Sequence, residues 1–149
     1  MPDILHLLTI RAPRERVYAA LATADGIRSW WTRDATLEAR LGGTGRFGFH
    51  DRRTVTTVRI AALEPPGRVD WETVASTLPA WPGTRLSFEL RPAADGTFLA
   101  FAHRGFAAAD DIFARFSTGW ACYLLSLRDY LETGTGAPHP EMEGARLRA

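Results

Sequence analysis

The run "DDIFARFSTGWACYLLSLRDYLETG" (residues 110–134) constrains the fold more than any other stretch. Phe113, Phe116, Trp120, Leu124, Leu127 and Leu131 recur at spacings of three and four, the repeat of one helix face. Asp110 and Asp111 stand where the positive amino end of a helix favours acidic groups, and Gly134 fits its carboxyl cap. At 1.5 Å per residue the predicted helix is on the order of 35 Å long, the width of a small domain. An apolar face of that length has to be covered by something comparably long. Gly119, in the middle of the helix, costs about 1 kcal/mol against alanine, so a close approach is expected there.

The covering surface has to come from strands. "ILHLLTI" (4–10) is rich in branched apolar residues. From residue 34 to 104 short alternating runs follow one another. They are "ATLEARL" (35–41) with Leu37 and Leu41 on one side, "RFGFH" (46–50) with Phe47 and Phe49 together, and the β-branched "RTVTTVRIAAL" (53–63). "RVDWETV" (68–74) sets Trp71 against Asp70 and Glu72, and "TRLSFEL" (84–90) sets Phe88 against Glu89. "TFLAFAH" (97–103) holds Leu99, Phe101 and His103 in phase. "GGTG", "EPPG" and "AADG" mark the turns. About seven strands joined by such short connections pair mostly antiparallel.

Between the first strand and the rest, Pro13 suits the first turn of a helix over "RERVYAALAT" (14–23). Thr23 or Asp25 caps a second short helix through "DGIRSWW". There Trp30 and Trp31 are adjacent, about 100° apart on a helix, and are not expected to share one burial direction. One indole is expected to tie the short helices to the sheet and the other to close a cavity mouth, with both serving as core filler as the alternative. The fold class is therefore α+β: a curved antiparallel sheet of about seven strands around a long C-terminal helix, with two short helices after strand 1. A bent sheet covers one helix loosely, and the gap is either filled by aromatic side chains or left open. Residues 1–138 read as a single domain and 139–149 as a frayed polar tail.

Composition removes several function classes. The net charge is +1 and no basic stripe exists, so nucleic-acid binding is not expected. All 18 basic residues are arginine, which excludes lysine Schiff-base chemistry and a P-loop lysine. Cys122 is the only cysteine, so neither an internal disulfide nor a cysteine metal cage can form. His6, His50, His103 and His139 lack metal-ligand spacing, and no metal or other cofactor is expected. No serine sits in a G-x-S-x-G setting. With no long apolar run and no leader-like start, a cytoplasmic protein without a membrane span is expected, as monomer or homodimer.

"IRAPRERVYAALAT" with "IRSWWT", then "GTFLAFAHRGF", then "GWACYLLSLRDYLETGTGAP" resemble, in this order, the START-like helix-grip superfamily. Within it residues 7–138 resemble the domain named after the activator of the heat shock protein 90 ATPase. The resemblance implies the helix-grip fold with an apolar cavity between sheet and long helix. It implies no single activity, because superfamily members include lipid carriers, hormone receptors and cyclases.

The expected ligand is a small apolar or amphipathic molecule. Its walls would be Trp30 and Trp31 on the second helix, Phe49, Trp71, Phe88 and Phe101 on strands, and Phe113, Phe116, Trp120 and Tyr123 on the long helix. His103, in phase with Phe101, would add a polar anchor or a general base, or simply bond a backbone carbonyl. Arg59, Arg85, Arg104 and Arg115 are the candidate cations for an acidic head, with a surface role the stronger reading for each. No catalytic residue is assigned. Two alternatives stay open: a cyclase-, hydrolase- or dehydratase-type enzyme in the same cavity, and a chaperone or protein-interaction module.

Overall fold

The alternating runs fold as strands and the three-and-four spacings as helices. The computed structural model describes residues 1–145, for Ala145 the backbone alone. The elements are β1 (Ile4–Ile10), α1 (Arg14–Ala22), α2 (Ala24–Trp30), β2 (Asp34–Leu37), β3 (Thr44–Phe49) and β4 (Thr54–Glu64). They continue with β5 (Arg68–Ser76), β6 (Arg85–Ala93), β7 (Gly96–Arg104), α3 (Asp111–Thr133) and α4 (Glu141–Ala145). One sheet has the order β1-β7-β6-β5-β4-β3-β2, and every neighbouring pair is antiparallel. Successive hairpins therefore build β2 to β7, and β1 closes the far edge against β7. Register shifts at Thr57/Val58 and Ile60/Ala62 bend the β4–β5 pair, as bulges do. This is the helix-grip arrangement: a bent seven-stranded sheet, two short helices after β1, and one long helix across it.

The inner face of the sheet supplies the core. Ile60, Val69, Trp71, Leu86, Phe88 and Leu99 have no exposed surface, and they share one apolar cluster with Leu124, Leu127 and Leu131 of α3. The outer face carries ion pairs across β4, β5 and β6. Glu72 pairs with Arg59 and Arg85, Glu89 with Arg91, and Asp70 sits beneath Arg68 and Arg85 at 3.1 and 2.8 Å. Period-two alternation thus keeps Glu72 and Glu89 away from the interior.

Several boundaries differ from expectation. Strand β2 stops at Leu37, and Leu41 is 66% exposed because the chain turns at Gly42, whose φ is +77°. Pro13 caps α1 from outside instead of entering its first turn. Thr23, not Asp25, caps α2, its hydroxyl accepting from Gly26 N–H at 3.0 Å. Asp110 caps α3 by accepting from Phe113 N–H at 2.9 Å, and Gly134 ends it at φ +88°.

The tail expected to fray from residue 139 is ordered through 145. Ser126 Oγ accepts from Ala137 N–H, His139 N–H donates to Trp31 O, and Arg33 N–H donates to His139 O. Met142 is fully buried. An apolar side chain and paired backbone groups hold the segment, so its polar composition does not decide its fate. Residues 146–149 of that tail lie outside the described residues. Among the described residues no helix is long and apolar enough to cross a membrane.

Candidate functional site

A cleft of about 530 Å³ opens along the amino-terminal half of α3. Its walls come from four places: Trp31 at the end of α2, Phe49 and Thr56 on β3 and β4, Leu78 and Trp81 in the β5–β6 connection, and α3 itself. The helix contributes Ala114, Arg115, Phe116, Thr118, Gly119, Trp120 and Tyr123. His50 and Glu143 complete one end. The lining combines large aromatic side chains with a few polar groups, the usual make-up of a small-molecule site.

Three indoles define the walls. Trp31 lies 5.0 Å from Trp120, and Trp81 lies 6.1 Å from Trp120 on the other side, nearly parallel to it. Phe116 meets Trp81 edge-on at 5.5 Å, and Phe49 meets Trp31 at 5.6 Å. Such pairs hold one another in place by packing and quadrupole contacts of about 0.5–1.5 kcal/mol each.

Five of the wall residues named from sequence line this cleft, Trp31, Phe49, Phe116, Trp120 and Tyr123, and so does the candidate cation Arg115. The others do not. Trp71, Phe88 and Phe101 fill the deeper space between sheet and helix, with Phe101 4.6 Å from Trp120 and Trp71 5.9 Å from Trp31. The expected central void is therefore occupied at that depth, and open space lies to the flank of α3. Phe113 packs on Phe106 at 5.2 Å, outside the cleft.

The doubled tryptophan differs from expectation at the cavity mouth. Trp30 is fully buried and its Nε1 donates to Ala20 O at 2.9 Å, tying α2 to α1. Trp31 is only 3% exposed, so it forms an inner wall and not a mouth. The two rings even stack, 6.0 Å apart and 16° from parallel. Both directions meet protein because α2 is enclosed, and Trp31 already belongs to the cap that leaves the helix.

His103 has no exposed surface and does not reach the cleft. Its Nδ1 accepts from Trp120 Nε1–H at 3.1 Å, which leaves the proton on Nε2 to donate to Thr84 Oγ1 at 2.8 Å. Thr84 Oγ1 in turn donates to Trp81 O at 2.6 Å. The relay fixes Trp81 and Trp120, the two facing walls. Burial pushes the imidazole down from its ordinary value of 6.5 to about 3. A base that weak and that enclosed is no proton acceptor for a ligand near neutral pH.

The arginines separate cleanly. Arg59, Arg85 and Arg104 pair with Glu72, Asp70 and Asp3 on the protein surface. Arg115 lines the cleft and makes no ion pair among the described residues. Tyr123 is 8% exposed and its hydroxyl has no partner among the described residues. Burial, and then the nearby Glu143 charge, push that phenol well above its ordinary range, so it stays a donor.

His50, His139 and Glu143 bring their ligand-type atoms within 4.8 Å of one another. His139 Nε2 accepts from His50 N–H at 3.0 Å, so its Nδ1 carries the proton and faces Glu143 Oε1 at 3.7 Å. A protonated nitrogen offers a cation no lone pair, and of this cluster His50 and Glu143 line the cleft while His139 stands behind them. Desolvation, followed by His50, lowers the basicity of His139.

Trp81, Leu78, Glu143 and Gly119 were not anticipated as lining. Trp81 sits in "LPAWPG", a proline-rich connection without periodicity, where a large ring was itself the only signal. Gly119 was expected to mark a close approach. Instead no atom lies within 4 Å of where its Cβ would be.

The family model for activator of Hsp90 ATPase homolog 1-like proteins matches residues 11–132. No curated protein matches the sequence. The solved Aha1 dimer from Colwellia psychrerythraea is 35% identical, with 91% of this chain and 100% of that chain covered and a TM-score of 0.82. A protein from Mesorhizobium loti is 20% identical, with 88% and 97% covered and a TM-score of 0.78. One from Staphylococcus saprophyticus is 19% identical, with 91% and 95% covered and a TM-score of 0.76. The last two share the fold.

Proposed function

The chain belongs to the family of activator of Hsp90 ATPase homolog 1-like proteins, and on that premise we propose that it binds a small apolar or amphipathic molecule in the α3 cleft. The observation that carries this reading is the cleft itself: about 530 Å³ bounded by Trp31, Trp81 and Trp120. Covering a ligand's apolar surface contributes roughly 25 cal/mol per Å², less the cost of ordering it. No reaction is needed for that. The enzyme reading loses its main candidate, because His103 is locked between Trp120 and Thr84.

The test is a fluorescence titration with the neutral dye N-phenyl-1-naphthylamine. Wild type is expected to bind one equivalent with micromolar affinity, and Trp81→Ala to weaken binding about tenfold or more through loss of one aromatic wall. A wild-type protein that leaves the dye dark would overturn the reading.

We also propose a second copy of the chain as protein partner. The outer face of β1 exposes Leu5 (60%) and Leu7 (67%), and the 35%-identical relative is described as a dimer. Cytoplasmic residence remains part of this proposal.

A further inference from the structure

Gly119 is the one position of α3 where the sequence opposes the helix and the fold does not explain it. It lies mid-helix, outside the left-handed region, and no neighbouring atom would meet a Cβ there. A glycine in that setting weakens the helix and gains nothing in packing. What the missing side chain leaves is room, and that room belongs to the cleft.

The position falls on a single stripe. Arg115, Gly119 and Tyr123 are spaced i, i+4 and i+8, so they stack along one face with about 6 Å between turns. All three line the cleft, at the middle of the arc that α3 turns toward it. The stripe reads as a cation, a bare stretch of backbone and a hydroxyl. Trp81 and Trp120 stand beside it as flat walls, 24° from parallel. The far end holds Glu143, whose charge disfavours an anion there. Arg115, at the near end, has no carboxylate partner among the described residues to compete with one.

We propose that the cleft takes a flat aromatic amphiphile with an anionic head, its rings laid over the backbone at Gly119 and its head at the Arg115 guanidinium. This rests on the binding reading above and adds the ligand's chemical class and orientation. Carboxylate and sulfonate heads fit equally, since a guanidinium fork accepts either planar or tetrahedral oxyanions.

The experiment uses two dyes sharing one skeleton: neutral N-phenyl-1-naphthylamine and 8-anilinonaphthalene-1-sulfonate, which adds an anion. Wild type is expected to prefer the sulfonate, and Arg115→Gln to lower the sulfonate-to-neutral affinity ratio on the order of fivefold, the range of an exposed ion pair. Gly119→Ala is expected to raise the Tm by about 2–4 °C, as a glycine removed from a helix should, and to weaken both dyes. A stabilised Gly119→Ala that binds both dyes as wild type overturns the seat. An unchanged ratio in Arg115→Gln overturns the anionic head while leaving the binding reading intact. Failure of wild type to bind either dye removes both.

Discussion

At the scale of single residues, the side chain that most resembles a catalytic group is a positioning one. His103 joins α3 to the β5–β6 connection through Trp120, Thr84 and Trp81. It does so only as the neutral imidazole, because protonating Nδ1 removes the acceptor that Trp120 requires. Its folded pKa of about 3 lies below the unfolded value of 6.5, so the unfolded chain binds more protons between them. Stability contributed by His103 is therefore complete above pH 6.5 and lost as pH falls toward 3. Urea midpoints measured at pH 7, 5.5 and 4 should decline, on the order of 1 kcal/mol per pH unit in the steep part. His103→Gln should start less stable yet show a shallower decline. Equal slopes in the two proteins would assign the acid sensitivity to other groups. The same reasoning reads Trp30 and Trp31: one indole is satisfied by Ala20 O and the other bounds the cleft, although their neighbouring positions suggested divergence.

At the scale of elements, legibility followed periodicity. Strands β3 to β7 and helix α3 stood within a few residues of their expected bounds, because alternation and three-and-four spacing each have one geometric reading. The site was less legible. Its strand and helix members lie on periodic segments, but Trp81 lies in an aperiodic connection and Glu143 in a polar terminal stretch. Neither place carries a repeat that reports which way a side chain points. Gly119 was noticed but assigned to close approach, since sequence alone cannot distinguish a glycine that admits a neighbour from one that leaves space. The terminal segment is the clearest correction. Met142 is fully buried, so Met142→Ser should lower stability by about 2 kcal/mol in urea unfolding, through lost burial and a stranded hydroxyl. An unaltered midpoint would mean that the segment docks only weakly.

At the scale of the whole molecule, the sheet order leaves two edges, β1 and β2. Only β1 pairs its free edge with exposed leucines on the outer face. If copies associate there, sedimentation at micromolar concentration should show a dimer, and Leu5→Ser with Leu7→Ser should yield a monomer that still binds the neutral dye. A monomeric wild type would refute that interface. Dimerisation and ligand capture would then occupy different regions, because the cleft draws on α3, the end of α2, β3, β4 and the β5–β6 connection but on neither leucine. The ordered stretch after α3 also works as a clasp. Its backbone bonds to Trp31 and Arg33 join residue 139 to the end of α2. The sheet ladder and the long helix make their own pairings without it. A cut between α3 and that stretch would therefore spare the scaffold and strip the cleft of its Glu143 end.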